Sequence, residues 1–181
     1  MSKHKQIELD FEVDKLTNSI ENALSGEVFD TEITQLFSHD SKQIKKADWQ
    51  FDWNKELKNT TLNIFKLTTP NNPTIIHGLI GIVDKGDHVF MSLIENAKFN
   101  KGKKKLYKGV AGNLVAFACK IAFEKGYDGV VSFVAKTQLV EHYQYSLGAK
   151  LFGAGNRMFI DTKEAIILVK QYFKKFNHGK L

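Results

Sequence analysis

Residues 106–114 read Leu106-Tyr107-Lys108-Gly109-Val110-Ala111-Gly112-Asn113-Leu114. Gly109, Ala111 and Gly112 leave the backbone bare at the start of an apolar stripe, Val110, Leu114, Phe117, Ala118 and Ile121. That spacing predicts an amphipathic helix, and Gly126 stands where it would stop. The N–H groups of a first helical turn lack intrahelical acceptors and sit at the positive end of the helix dipole. A small-residue loop feeding that turn can cradle a phosphate or pyrophosphate, or it can simply pack a helix closely on a sheet. Neither Gly-x-x-x-x-Gly-Lys-Ser/Thr nor a complete Gly-x-Gly-x-x-Gly occurs in the chain.

The flanks of this stretch read as strands. Upstream, Ile75 to Val83 and His88 to Ile94 are apolar runs joined by Asp84-Lys85-Gly86-Asp87, a hairpin pattern. Leu62, Ile64, Phe65 and Leu67 form a further strand closed by Pro70-Asn71-Asn72-Pro73, and Trp49, Phe51 and Trp53 alternate like a strand with one aromatic face. Downstream, Gly129 to Val134 predicts a buried strand, which a crossover helix would make parallel to the preceding one. A helix over Gln138 to Leu147, a strand through Met158 to Asp161 and a helix over Lys163 to Phe176 follow. Before all of these, Val13, Leu16, Ile20 and Leu24 predict a helix, with a second over 31–37 and a polar linker over 38–46. The fold class is α+β, with a mostly antiparallel sheet that turns parallel late.

The chain has 181 residues, 43% of them apolar and 25% charged, with two prolines and one cysteine. This is enough to bury a core in one domain without staples. Cys119, alone, excludes an intrachain disulfide and reads as a small buried hydrophobe. No apolar run approaches the roughly 18 residues of a membrane span, so a cytoplasmic protein with no membrane partner is expected. The net charge of +6 divides into −6 over residues 1–40 and +12 over the rest. Lys98, Lys101, Lys103, Lys104, Lys105 and Lys108 lie beside the small-residue loop. The acidic arm could attract a cationic amine or cover that basic face, and the simplest account is an exposed, solvated arm. His77 and His88 have no third ligand, so no metal site is expected.

On these residues the chain resembles the GNAT family of acyl-CoA-dependent N-acyltransferases. The resemblance rests on the hairpin 75–94, the loop and helix 106–126, the strand 130–134 and Tyr143-Gln144-Tyr145-Ser146-Leu147-Gly148-Ala149. It implies a GNAT-like mixed central sheet flanked by helices over 41–181, with residues 1–40 as an acidic helical arm, part of that domain or appended to it. In that family Arg/Gln-x-x-Gly-x-Gly/Ala binds the CoA pyrophosphate through backbone amides. Here Gly109 and Ala111 fill the small positions, while Leu106 replaces Arg/Gln and leaves the charge to Lys105 or Lys108. The implied cofactor-binding residues are Lys108, Gly109, Val110, Ala111, Gly112 and Asn113 for the pyrophosphate. Leu93 and Ile94 would receive the pantetheine arm in a gap between two splayed strands.

The resemblance implies acetyl-CoA as co-substrate and a small-molecule or peptide amine as acceptor. Glu95, the only acid between Asp87 and Glu124, is the expected base; the alternative is a strand-end carboxylate balancing nearby lysines. The family's closing Tyr-x-x-x-Gly is stretched, with Tyr143 five residues before Gly148 and Tyr145 three before it. Tyr143 is the expected proton donor to the thiolate, against plain packing of an amphipathic helix. Two other functions stand beside acetyl transfer: a non-catalytic CoA-binding or interaction module of the same fold, and nucleic-acid or ribosome association through Lys98–Lys108. The second is disfavoured because that loop carries only Phe99 and Tyr107 for stacking. A homodimer is left open.

Overall fold

The computed structural model describes residues 6–14 and 19–174. Strands β1 (Ile20–Asn22), β2 (Val28–Phe29) and β3 (Glu32–Leu36) come first, then 3-10 turns over Ser38–Gln43 and Lys46–Asp48 and the one-turn helix α1 (Trp53–Glu56). The meander β4 (Asn63–Thr68), β5 (Gly78–Asp84) and β6 (Val89–Asn96) leads through β7 (Tyr107–Lys108) into α2 (Val110–Glu124). Strand β8 (Val131–Val134), helix α3 (Val140–Leu147), strands β9 (Lys150–Leu151) and β10 (Arg157–Ile160) and helix α4 (Thr162–Tyr172) complete the order.

The main sheet has seven strands in the order β3-β4-β5-β6-β8-β10-β9. Every pair in it is antiparallel except β6 with β8, which α2 joins as a crossover. This is the expected α+β architecture. The β5–β6 hairpin closes as its sequence predicts, Lys85 N–H donating to His88 O at 3.0 Å and Gly86 N–H to the Asp84 carboxylate at 2.9 Å. One face of the sheet carries a large core with α2, α3 and α4, and the other a smaller cluster around Trp49, Trp53, Leu79 and Leu93.

Three local expectations need correction. The arm is not helical where it is described: Val13 is extended, Ile20 belongs to β1 and Leu24 is 96% exposed, while Leu16 lies outside the described residues. The second predicted helix is β3, because Ile33 and Leu36 find partners across β4 at Leu67 and Ile64 and pairing overrides a weak helical period. Trp49 and Trp53 are buried core, as large aromatics usually are, but Trp53 opens α1 rather than continuing a strand. The last expected helix stops at Tyr172, and its end at Phe176 lies outside the described residues.

Gly129, at φ +75°, joins α2 to β8 where a Cβ would stand 2.4 Å from the Phe123 ring and 2.9 Å from Ala165 Cβ. Gly129→Ala combines backbone strain with overpacking and is expected to lower stability by about 2–3 kcal/mol in urea unfolding.

Candidate functional site

β6 and β8 run parallel but pair only at Val89↔Val131 and Phe90↔Ser132. Just beyond, β6 bulges: Ile82 faces Met91 whereas Gly81 faces Leu93, so Ser92 is the extra residue. The bulge changes which face each side chain takes. Val89 and Met91 lie in the helix-side core, Leu93 in the tryptophan cluster and Ile94 on the helix side again. Past it the two strands diverge, and a gap opens toward the start of α2.

Residues 7–14 line that gap. Their side chains alternate, with Leu9, Phe11 and Val13 buried and Glu8, Asp10 and Glu12 exposed. Leu9 N–H donates to Val134 O at 2.7 Å and Lys136 N–H donates to Leu9 O at 2.9 Å, a parallel bridge beside Ala135. Since β10 occupies the other edge of β8, this segment lies on the edge that faces β6. Val13 N–H donates to His142 Nε2 at 2.9 Å. Across from it, Ile94, Glu95 and Asn96 form the opposite wall of a cleft of about 210 Å³, bounded on this side by Asp10, Phe11 and Glu12. Asn96 Oδ1 is buried without a hydrogen-bond partner.

At the α2 end, Gly109 is the N-cap at φ +87° and its N–H donates to Asp14 Oδ1 at 3.1 Å. Lys105 Nζ holds the other Asp14 oxygen at 3.0 Å. Val110, Ala111 and Gly112 are buried in the first turn, which packs so close to β5 that a Cβ on Gly78 would meet Val110 Cγ1 at 2.8 Å. Asn113 points elsewhere: its amide donates to Thr31 Oγ1 at 3.0 Å and its Oδ1 is buried and unpaired. Of the lysine loop, Lys98 reaches Ala47 O, Lys101 reaches Glu95 and Lys108 sits in β7, while Lys103 and Lys104 are exposed.

Glu95 and Tyr143 lie on opposite walls of the gap. The Glu95 carboxylate accepts from Gln50 N–H at 2.6 Å, Phe51 N–H at 3.3 Å, Trp53 Nε1 at 2.8 Å and Lys101 Nζ at 3.0 Å. It is neither an exposed strand-end charge nor a free base; it ties the aromatic loop to β6. The Tyr143 hydroxyl donates to Phe11 O at 2.6 Å, and its ring stacks on Phe11 at 4.8 Å. Burial pushes the Tyr143 phenol well above its usual range, and it does the same to the Cys119 thiol, which is core as expected. Tyr145, the other tyrosine of that motif, is 94% exposed.

A wider cleft of about 800 Å³ lies beyond β7, with Glu27, Asp30, His77, Phe99 and Tyr107 in its lining. His77 packs its ring against Tyr107 and Phe99, and burial lowers its pKa from 6.5 to about 4, so it is neutral at pH 7.

With this geometry in view, solved structures supply the match. The chain superposes on the AtaT–AtaR complex bound to DNA at TM-score 0.55 and 19% identity, covering 76% of this chain and 98% of that one. A mutant AtaT toxin bound to the AtaR C-terminus and acetyl-CoA gives TM-score 0.54 and 17% identity over 77% and 97%. A structure described as a bacterial toxin gives TM-score 0.56 and 12% identity over 77% and 95%. The chain has the GNAT fold. No family model and no curated protein matches its sequence. Leu93 and Ile94 lie on β6 beyond its last pair with β8, and Gly109 caps α2. Sequence reasoning missed Asp14 and the bulge at Ser92. The strict alternation of Ile7-Glu8-Leu9-Asp10-Phe11-Glu12-Val13-Asp14 was the signal for the first.

Two measurements follow. Glu95→Ala leaves buried donors and part of Lys101 unpaired, and is expected to cost about 3 kcal/mol in urea unfolding with a shift in tryptophan fluorescence. Because folded His77 resists protonation and the unfolded chain does not, its contribution to stability is complete above pH 6.5 and is lost as pH falls from 6.5 toward about 4. His77→Gln should flatten that limb of the Tm–pH curve.

Proposed function

We propose that the protein transfers an acetyl group from acetyl-CoA to a primary amine by direct attack in a ternary complex. The observation that carries this reading is a parallel strand pair that diverges beyond a bulge and opens onto a glycine-capped helix N-terminus already holding a carboxylate. The GNAT fold supports it, as does acetyl-CoA bound in the AtaT structures that share the fold.

In this reading the backbone of Leu93 and Ile94 receives the pantetheine arm. The first-turn N–H groups of Gly109 to Gly112, with Lys108 and Lys105 alongside, receive the pyrophosphate, while the Asn113 N–H is spent on Gly109 O. Acetyl-CoA supplies the thioester. The chain contributes orientation, worth more than any single group here, and backbone N–H groups that polarise the thioester oxygen. Tyr143 hands its proton to the departing thiolate, its hydroxyl being aimed from α3 into the gap. Glu95 holds the wall through Trp53 and Gln50, and the amine proton leaves through water rather than directly to this carboxylate.

Calorimetric titration with acetyl-CoA is expected to show one site per chain, abolished by Gly109→Glu. The double change Lys103→Glu and Lys104→Glu, on exposed side chains, should leave affinity within about threefold. RNA binding with steep salt dependence, lost in that lysine pair and accompanied by no acetyl-CoA binding, would replace this reading with nucleic-acid association.

A further inference from the structure

Three contacts of residues 7–14 fall at the three places a bound acyl-CoA would need. Leu9 takes a strand position on the edge of β8 that faces the gap. Phe11 presents its carbonyl to the Tyr143 hydroxyl, and Asp14 places a carboxylate on the Gly109 N–H with Lys105 as counter-ion. Further contacts tie the segment to the same walls: Asp10 pairs with Lys136 at 2.7 Å, and Val13 N–H donates to His142. An extended chain with an anion at its α2 end therefore lies across the gap.

We infer that residues 7–14 are an autoinhibitory segment that imitates acyl-CoA, occupying the β6–β8 gap and the α2 N-terminus so that the co-substrate enters only when the segment leaves. This rests on the acyl-CoA reading of the gap. Sterics and charge both enforce the exclusion. Phe11 and Val13 are 8% and 6% exposed, so their volume is fully committed to the core beside Ile94 and Tyr143. Asp14 neutralises Lys105 and would repel a pyrophosphate brought to the same amide. The closed form is also catalytically blank, because the Tyr143 hydroxyl is already donating to Phe11 O. Release has the reverse effect on every count: it bares the edge of β8, the Gly109 N–H, Lys105 and the Tyr143 hydroxyl together. Apparent affinity for the co-substrate then equals the intrinsic affinity scaled by the fraction of chains with the segment out.

Full-length protein is compared with two full-length variants, Asp14→Lys, which puts a cation against Lys105, and Val13→Asp, which puts a charge into the core contact. Acetyl-CoA affinity is measured by calorimetry, and amide hydrogen exchange over residues 7–14 is followed with and without saturating acetyl-CoA. Both variants are expected to bind at least tenfold more tightly than the parent. In the parent, acetyl-CoA should accelerate exchange at Leu9 and Val13. Equal affinity in all three proteins, with Leu9 still protected in the acetyl-CoA complex, would overturn the inference and leave the segment as an ordinary strand. Variants whose Leu9 amide exchanges freely yet take up no acetyl-CoA would overturn the acyl-CoA reading of the gap, and the inference with it.

Discussion

Backbone N–H and C=O groups inside a protein demand partners, and two parallel strands that part after two residue pairs leave a row of them facing one another across open space. Much of the arrangement around the gap answers that demand. The bulge at Ser92 sets where the parting begins and turns Leu93 toward the tryptophans. On the β8 side the answer is residues 7–14, which supply the donor and acceptor that Val134 and Lys136 require. At the α2 end the same segment supplies Asp14 to a helix terminus whose first N–H groups have no internal acceptor.

Rigidity of the opposite wall comes from one buried carboxylate. Glu95 accepts from two backbone amides and an indole on the 49–53 loop and from Lys101, so one side chain ties β6 to the loop and to the start of α1. Charge-assisted bonds of this kind are strong because the carboxylate is kept from water, and they are costly to break for the same reason. A residue that a reader of the sequence would assign to proton transfer is thus engaged in holding a wall, while Tyr143 on the other wall keeps a hydroxyl trained on the space between.

The elements built on long local patterns were legible. The β5–β6 hairpin, α2 with its Gly126 stop, β8, α3 with Gly148 and the parallel pair follow from periodicity and turn residues, and so does the glycine-capped start of α2 at Gly109. The arm was not. Val13, Leu16, Ile20 and Leu24 happen to fit a helical period, whereas the better pattern was the two-residue alternation from Ile7 to Asp14, whose meaning depends on an edge of β8 more than a hundred residues away. Trp49 to Trp53 misled for a related reason: the aromatics are buried as expected, but the polar groups between them are satisfied by Glu95 instead of a neighbouring strand. The charge division was readable as numbers, and its meaning as contact was not. Asp14 with Lys105 and Asp10 with Lys136 are the ion pairs by which residues 7–14 meet the basic part of the chain.

The docked segment is separated by 129 residues from His142 and by 132 from Tyr143 along the chain. Contacts that distant close a long loop, a chain-entropy cost that their own burial must offset. Leu9, Phe11 and Val13 nonetheless belong to the same core cluster as α2, α4 and the sheet. Departure of the segment would therefore bare a strip of that core as well as the gap, so any occupant that replaces it must cover apolar surface and not only answer the backbone.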